Sequence, residues 1–407
     1  MHIVLLGARA EVLAELLDLG HTLTVLHSKG DRRTAEKYAN RLANIGYVPD
    51  FDIPELAWSV LLHLGETGKV DLVLPCHELA VVTAGFLNNL LGCTATARID
   101  LPTAMAGRDK AHQKSLWVKH GVPTARYATV TSAPRSPAEL HEVVAGLSAP
   151  FVVKPPSRGG SRDVHVCRHV EELHEVLTST PALRHAVIEE MQDGREWHLD
   201  GAVVDGQVTH LMVSRYLAPL RETKNGSPLR SVAYPVAAHP LLYTTATAFA
   251  QRAVSALGGR WGVFHLEVFG EPDEFVAGEL AWRPAGVFAP QTAERTIGIN
   301  PWTAHARLLA GEEPPKPAAA GESVYGFVCL PVKPGAVNGV TRADIEALPG
   351  VCDVQMTVQV GQMMGEMLFS TYCVALALIE AGDIASCERR IDEAVRLTHE
   401  LHDRKSA

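Results

Sequence analysis

The chain has 407 residues, of which 47% are hydrophobic and 20% charged, with a formal net charge of −9 and a pI near 6.1. This composition is that of an ordinary globular protein with two or three domains. The acidic balance argues against non-specific nucleic-acid binding, which needs a basic surface. The sequence also has no run of about 18 uncharged apolar residues that would cross a membrane.

The seven cysteines are scattered and form no CxxC pair, which argues against a disulfide framework and against a zinc site. The first seven residues, MHIVLLG, are typical of a strand rather than of a signal peptide. We therefore expect a cytoplasmic protein with reduced thiols.

The first hundred residues alternate apolar runs with helical patterns, which predicts a parallel α/β unit. Gly7 stands alone where a dinucleotide fingerprint would need GxGxxG, so this part is expected to be Rossmann-like without an NAD site. The predicted strands cover residues 2–6, 22–27 and 70–75, and the predicted helices cover 11–19 and 78–91.

The middle of the chain begins with a helical, basic stretch at 103–121 that ends at Val122-Pro123. Strands are predicted at 151–154, 164–167 and 186–190, a helix at 171–177, and a hairpin at 198–204 and 208–213 around Asp205-Gly206. Residues 311–321 are proline-rich, so we expect a linker there. A C-terminal α+β domain at 322–407, ending on a helix at 384–401, would follow.

Two acidic residues and an arginine carry the most informative pattern. Glu267 and Glu279 lie on two strand-like runs joined by a GEPDE turn, and Arg283 follows the second acid by four positions. Carboxylates side by side on neighbouring strands bind Mg²⁺, because hard cations take oxygen ligands. An arginine beside them can hold the charge of a phosphoryl group. Two acids that merely stay solvated at a hairpin are the alternative.

Two further segments suggest phosphate and nucleotide contacts. Lys154 ends a buried-type strand and precedes the Gly/Ser/Arg-rich turn 155–162, whose backbone N–H groups can approach phosphates. An acidic segment, EEMQDGRE at 189–196, follows another strand and could present backbone groups to an adenine edge. Taken singly, each segment is more typical of a surface turn.

In combination, these segments resemble the ATP-grasp superfamily of carboxylate–amine ligases over about residues 1–310. The similarity rests on DK at 109–110, FVVKP at 151–155, VIEEMQDGRE at 187–196 and ELAWRPAG at 279–286. The resemblance implies an α/β fold, α+β in parts. Its parts would be a Rossmann-like domain at 1–102, an ATP-grasp domain at 103–310 with a lid at about 125–192, and the C-terminal domain.

The resemblance also implies a role for each matching residue. Lys110 and Lys154 would contact ATP phosphates, and the loop with Gly159, Gly160 and Ser161 would close over them. Glu189 would bind the adenine amino group, Glu190, Met191 and Gln192 would complete the adenine pocket, and Glu196 would hold the ribose. Glu267 and Glu279 would bind Mg²⁺, for which Mn²⁺ can substitute, and Arg283 would stabilise the acyl phosphate.

Two positions depart from the family pattern. Ala281 stands where the family usually carries Asn two residues after the second metal-binding acid, which removes one metal ligand. Asp163 stands where a glycine is common in the loop.

The C-terminal segment and the stretch CHELAVVTAG at 76–85 are similar to the L-amino-acid (dipeptide) ligase branch. His265 and Arg215 are the substrate-binding candidates, with Arg221 and Arg230 in the same irregular region. A packed histidine and solvated arginines are the alternatives.

We therefore expect an ATP-dependent ligase that couples an amino-acid carboxylate to an amine and releases ADP and phosphate. The expected partners are small-molecule substrates, amino acids in particular, with neither nucleic acid nor membrane. A homodimer is allowed for, because many enzymes of this size are dimers. The alternatives are a purine-type ligase of primary metabolism and an ATP-binding module without catalysis.

Overall fold

A computed structural model describes residues 1–317, 321–365 and 371–405, and its strands form three sheets. The strands are β1 His2–Leu6, β2 Thr22–His27, β3 Asn44–Tyr47, β4 Leu72–Pro75, β5 Tyr127–Val130, β6 Phe151–Lys154, β7 His165–Cys167, β8 Ala186–Glu190, β9 Glu196–Val204, β10 Gln207–Tyr216, β11 Arg230–Ala233, β12 Gly262–Phe269, β13 Val276–Ala281, β14 Val324–Leu330, β15 Val351–Met356 and β16 Ala375–Ala381.

The helices surround these sheets, and none within the described ranges is both long and apolar enough to span a membrane. They are α1 Ala10–Asp18, α2 Arg32–Tyr38, α3 Pro54–Leu64, α4 Val81–Leu90, α5 Leu101–Ala106, α6 Lys110–Lys119, α7 Pro137–Val143, α8 Val170–Ser179, α9 Pro240–Ala256, α10 Ala289–Ile297, α11 Pro301–Leu309, α12 Arg342–Glu346 and α13 Ile384–Lys405.

The N-terminal sheet is parallel, with strand order β3-β2-β1-β4. Its central strand β1 is apolar from Ile3 to Leu6, and these four residues have no exposed surface. A continuous apolar run is what a parallel strand covered on both faces requires. This confirms the parallel unit predicted from the sequence, whereas β3 and α3 were not predicted.

The second sheet is antiparallel, with strand order β5-β8-β6-β7, and it carries the predicted glycine-rich loop between β6 and β7. Asp163, the departure from the family pattern, has φ 55°, and Ser161 has φ 57°. Aspartate tolerates this left-handed region better than most residues. Arg158 Nη1 donates to Asp163 Oδ2 at 2.8 Å, and this hydrogen bond connects two residues of the same loop.

The third sheet has eight strands in the order β13-β12-β9-β10-β11-β14-β16-β15, and its paired strands are antiparallel. Strands β14 to β16 come from the segment predicted as a separate C-terminal domain, and they extend the central sheet through the β11–β14 pairing. The domain boundaries therefore stay a prediction. Residues 318–320 of the predicted linker lie outside the described residues.

The predicted helical stretch at 103–121 is two helices, α5 and α6, because the backbone breaks at 107–109. A Cβ at Gly107 would lie 2.1 Å from Trp282 Cδ1, so only glycine allows this close packing. Asp109 then caps α6 by accepting a hydrogen bond from the His112 backbone N–H at 3.0 Å. The break makes Lys110 the first residue of α6 and directs it into the cleft described below.

Candidate active site

The two predicted metal-binding acids lie directly opposite each other. Glu267 on β12 and Glu279 on β13 are cross-strand partners in the central sheet. Cross-strand partners project to the same face, so the hairpin brings the two carboxylates together as predicted. Ala281, where the family pattern has Asn, is the cross-strand partner of His265. The imidazole of His265 therefore lies beside Ala281, where the family pattern would place an Asn side chain.

Lys110 connects the first helix of the site to the loop and to Glu279. Its backbone N–H donates to Pro156 O at 2.9 Å, and its ammonium Nζ donates to Arg158 O at 2.6 Å. The same Nζ is 2.8 Å from Glu279 Oε1. Lys110 thus holds the start of the glycine-rich loop against the acid pair.

Lys154 belongs to a buried group of three charges. Lys154 Nζ is 2.7 Å from Glu189 Oε1, and Lys114 Nζ is 3.3 Å from Glu189 Oε2. Burial alone would raise the pKa of Glu189, but the two lysines hold it below its usual value. Burial lowers the pKa of Lys114 to about 8 against the opposing effect of Glu189. Because both carboxylate oxygens face lysines, a contact from Glu189 to adenine stays a prediction that requires rearrangement.

The segment after β8 lines the same cleft, although part of its backbone is already engaged. The N–H groups of Glu190 and Met191 donate to Arg126 O and Pro150 O, each at 3.0 Å. Gln192 Nε2 donates to Glu190 O at 3.2 Å. The predicted adenine pocket would therefore use the remaining groups of 190–192 or exchange these bonds.

Glu196, the predicted ribose ligand, is almost fully buried. Its Oε2 accepts a hydrogen bond from the Leu220 backbone N–H at 2.9 Å. Burial, together with the nearby charge of Glu267, raises the pKa of Glu196 to about 8. The side chain is then neutral at neutral pH and can donate a hydrogen bond as well as accept one.

Arg283 lies two residues beyond the end of β13, next to the acid pair. Its Nε donates to Glu78 Oε2 at 2.5 Å and its Nη1 donates to Pro284 O at 2.8 Å. Burial alone would lower the pKa of Arg283, but Glu78, Glu279 and Glu267 raise it. Arg283 therefore keeps its charge in the cleft, and Glu78 fixes its direction.

His265, a predicted substrate ligand, is part of a buried hydrogen-bonded cluster. Asp200 accepts from His265 Nδ1 at 2.7 Å and from His198 Nδ1 at 2.5 Å, one bond to each carboxylate oxygen. Burial alone would lower the pKa of His265, but Asp200 and Glu267 raise it to about 10. Burial alone would raise the pKa of Asp200, but the two histidines hold it well below its usual value.

Arg215, the other predicted substrate ligand, does not line the cleft, and a contact from it to the substrate stays a prediction. Arg215 Nε donates to Tyr234 Oη at 3.1 Å, and its Nη2 pairs with Glu388 on α13. Alternation along β10 places the next residue, Tyr216, on the opposite face, where it lines the cleft. Of the two other arginines considered, Arg221 lines the cleft and Arg230 pairs with Asp392.

Most of the predicted site residues line one cleft with a volume of about 240 Å³. Apart from Arg215, every residue predicted for the site lies on its wall. These residues are Lys110, Lys154, Gly159, Gly160, Ser161, Glu189, Glu190, Met191, Gln192, Glu196, His265, Glu267, Glu279 and Arg283. Five further residues near the cleft were not predicted from the sequence to belong to the site: Glu78, Lys114, His198, Asp200 and Tyr216. Of these, Glu78 lies in the stretch 76–85 that had already suggested the ligase branch.

The acid pair fits a divalent cation. The protein's own cations already approach both carboxylates, since Lys110 Nζ is 2.8 Å from Glu279 Oε1 and His265 Nε2 is 3.5 Å from Glu267 Oε1. Oxygen donors in a place that favours positive charge suit Mg²⁺. In the part of the chain that the structure describes, one cluster of three metal-ligating side chains occurs, His198, Asp200 and His265. Its ring Nδ1 atoms are already bonded to the carboxylate.

Comparison with known proteins agrees with this geometry. Residues 115–289 match the ATP-grasp domain family. An L-arginine-specific L-amino acid ligase from Bacillus subtilis is 24% identical over 353 residues, which cover 84% of this chain and 82% of that protein.

Two solved structures share the whole fold. An L-amino acid ligase from Bacillus licheniformis has a TM-score of 0.72 and 19% identity, covering 99% of this chain and 97% of that chain. A carboxyaminoimidazole ribonucleotide synthase from Aspergillus clavatus, complexed with ATP, has a TM-score of 0.72 and 16% identity, covering 98% of each chain.

The protein thus has the ATP-grasp fold, and residues 115–289 are an ATP-grasp domain. It is an ATP-dependent carboxylate–amine ligase of the ATP-grasp type. The fold class and the enzyme class predicted from the sequence are confirmed.

Proposed function

We propose that this ligase activates the carboxylate of one amino acid as an acyl phosphate and couples it to the amine of a second. The main support is that Arg283 and His265 lie beside the paired acids Glu267 and Glu279 in one cleft. Charges that would bind phosphate therefore lie in the same cleft as His198, His265 and Tyr216, which would face the substrate and are called the substrate wall. The similarity to amino acid ligases favours amino acids as the substrates.

The proposed reaction has two steps. A substrate carboxylate oxygen attacks the γ-phosphorus of ATP, and the bond from that phosphorus to the ADP oxygen breaks. The amine nitrogen then attacks the acyl carbon, the bond from carbon to the phosphate oxygen breaks, and the nitrogen loses a proton. The products are an amide, ADP and phosphate. Such transfers depend on positioning and charge neutralisation, so the enzyme needs no covalent nucleophile.

The residues of the cleft would divide these tasks. Lys110 and Lys154 would hold phosphate oxygens, and the loop with Gly159, Gly160 and Ser161 would exclude water from the acyl phosphate. Arg283 would hold the charge on the transferred phosphoryl group. Glu267 and Glu279 would hold Mg²⁺, which when bound neutralises phosphate charge.

A pairwise screen of amino acids with ATP and Mg²⁺ tests the proposal. Phosphate release and product mass would be measured, and the nucleotide products separated by chromatography. We expect ADP and phosphate to appear only when both amino acids are present, with a product that has lost one water relative to the pair. AMP with pyrophosphate would contradict the proposed reaction. Binding of ATP without turnover across the panel would favour a non-catalytic module.

A purine-type ligase is the second candidate, because the Aspergillus clavatus enzyme matches the fold as well as the amino acid ligase does. The same assay with a ribonucleotide amine and bicarbonate in place of amino acids separates the two. Turnover with that pair alone would replace the amino-acid proposal.

A further inference from the structure

Four buried polar side chains and the partly exposed Glu267 form a continuous polar network along the substrate wall of the cleft. Ser231 Oγ is 2.7 Å from His198 Nε2, and His198 Nδ1 is 2.5 Å from Asp200 Oδ2. Asp200 Oδ1 is 2.7 Å from His265 Nδ1, and His265 Nε2 is 3.5 Å from Glu267 Oε1. The chain therefore links β11 to the acid pair through β9 and β12.

The hydrogen bonds of Asp200 fix both imidazole rings. An ionised carboxylate only accepts, so the Nδ1 atoms of both His198 and His265 must donate to it. A ring held by Nδ1 cannot turn over, and the Nε2 of His265 is left pointing along the cleft toward Glu267. Ser231 in turn holds the far nitrogen of His198. Each link fixes the orientation of the next.

The members of this chain have different access to the cleft. His198 and His265 line it, whereas Asp200 lies behind them and borders a small aliphatic cavity of about 20 Å³. The Tyr216 ring packs on His198, with their centroids 4.7 Å apart. Asp200 therefore reaches the substrate space only through the two rings that it holds.

We propose that Asp200, with His198 and Ser231 behind it, is a positioning residue that orients His265 for contact with the amino-acid substrate. The proposal rests on the proposed function. We interpret the network as orienting His265 rather than as binding a metal. Each Nδ1 carries the proton that it donates to Asp200, so it has no lone pair left for a metal ion.

Asp200→Asn is the primary variant, because an amide of the same shape cannot accept from both rings. We expect kcat/KM for the amino acid that His265 contacts to fall roughly 30-fold, the effect of one lost charge-assisted hydrogen bond. The KM for ATP should stay within about twofold, because Asp200 does not contact the nucleotide end. Asp205→Asn makes the same change at the exposed turn of the same hairpin, where Asp205 pairs with Arg260, and should behave as wild type.

A double-mutant cycle separates positioning from a general structural role. If Asp200 acts only through His265, Asp200→Asn should cost nothing further in a His265→Gln background. Additive losses, or an equal loss of ATP affinity in Asp200→Asn, would overturn the proposal. If Asp200→Asn does not fold, His198→Gln and Ser231→Ala supply the same cycle with smaller steps, since each removes one link.

NMR of histidine-labelled protein gives a readout that needs no turnover. We expect two downfield imidazole N–H signals in the wild type, and the loss or shift of both in Asp200→Asn. Titration with Zn²⁺ should leave both signals in place, and their replacement by a Zn²⁺ complex would overturn the orienting role. Absence of turnover with every amino-acid pair, with the NMR result as expected, would reject the proposed function and leave the hydrogen-bonded chain intact.

Discussion

The two ends of the cleft are built differently. At the end that we propose binds ATP, called the nucleotide end, three cations each meet a carboxylate of the protein: Lys110 meets Glu279, Lys154 meets Glu189 and Arg283 meets Glu78. Lys114 shares Glu189 with Lys154. At the substrate end, one buried carboxylate, Asp200, holds two histidines by hydrogen bonds. Charge is therefore neutralised by direct ion pairs at one end and by a hydrogen-bonded network around Asp200 at the other.

This difference has a functional consequence. Ion pairs at the nucleotide end keep buried charges neutralised and place cations where phosphates are proposed to bind, so we expect charge to set affinity there. At the substrate end, we expect the orientation of the rings to decide recognition, because a fixed donor selects a partner by geometry. Variants at the two ends should therefore separate ATP binding from amino-acid use.

The largest effect is expected for Glu279→Gln. Loss of this carboxylate removes a proposed metal ligand and the partner of Lys110, so turnover should fall by about 10³-fold or more. ADP release measures the activity, and circular dichroism with a melting curve measures the fold. Glu271→Gln, at the exposed turn of the same hairpin, is the matched control. Near-normal turnover in Glu279→Gln would remove Glu279 from the catalytic site.

Lys154→Gln should weaken ATP binding by about 100-fold with the amino-acid KM little changed, because a buried charge-assisted contact to phosphate is lost. Isothermal titration calorimetry measures the affinity. Lys119→Gln, at the exposed end of α6, makes the same change away from the cleft. An equal effect of both lysine variants would mean that net charge, rather than position, controls ATP binding.

Glu196→Gln should change how stability depends on pH. The carboxyl of Glu196 has a pKa of about 8 in the folded protein and 4.5 in the unfolded chain. Between these two pH values the folded state therefore binds one more proton than the unfolded state. That stabilising contribution is complete below pH 4.5 and is lost as the pH rises through 8. As the pH rises from 4.5 to 8, the free energy of unfolding of the variant should therefore increase relative to that of the wild type, by on the order of 3 kcal/mol.

Denaturant unfolding at pH 5, 6, 7 and 8 checks this difference. Glu175→Gln removes one acid at an exposed position of α8 and controls for the change in net charge. A constant difference between Glu196→Gln and wild type across the window would contradict the raised pKa.

The smallest effect is expected for Tyr216→Phe. Burial and the charges of Glu267, Asp200 and Glu196 raise the pKa of Tyr216 well above its usual value, so the hydroxyl stays a neutral donor in the cleft. Its loss should raise the amino-acid KM about 5- to 10-fold, the effect of one neutral hydrogen bond, and leave the ATP KM unchanged. Steady-state kinetics measure both KM values, and Tyr47→Phe, the same change at an exposed position, is the control. A change in the ATP KM instead would place the hydroxyl at the nucleotide end.

The position of the acid pair could be predicted from the sequence because its signal is local. The GEPDE turn joins two strands whose register follows from the hairpin, so Glu267 and Glu279 could be expected to face each other. The strands at 2–6, 22–27, 151–154 and 186–190 have the predicted bounds, since each is a short apolar run closed by a clear turn or loop signal.

The network behind His265 could not be predicted, because its contacts join residues far apart in the chain. His198 meets Ser231 across 33 positions, and Asp200 meets His265 across 65. Their encounter depends on β9 pairing with β12 and on β10 pairing with β11, which no local pattern specifies. The pairing of Arg215 with Glu388 could not be predicted for the same reason, since the two residues are 173 positions apart.

The central claim, activation of a carboxylate by phosphorylation in this cleft, has a direct test. The activated amino acid would be labelled with oxygen-18 in its carboxylate, and the phosphate released during turnover would be analysed by mass spectrometry. Attack of that carboxylate on the γ-phosphorus predicts one oxygen-18 in the released phosphate. Phosphate without the label, or label carried into AMP, would contradict the account.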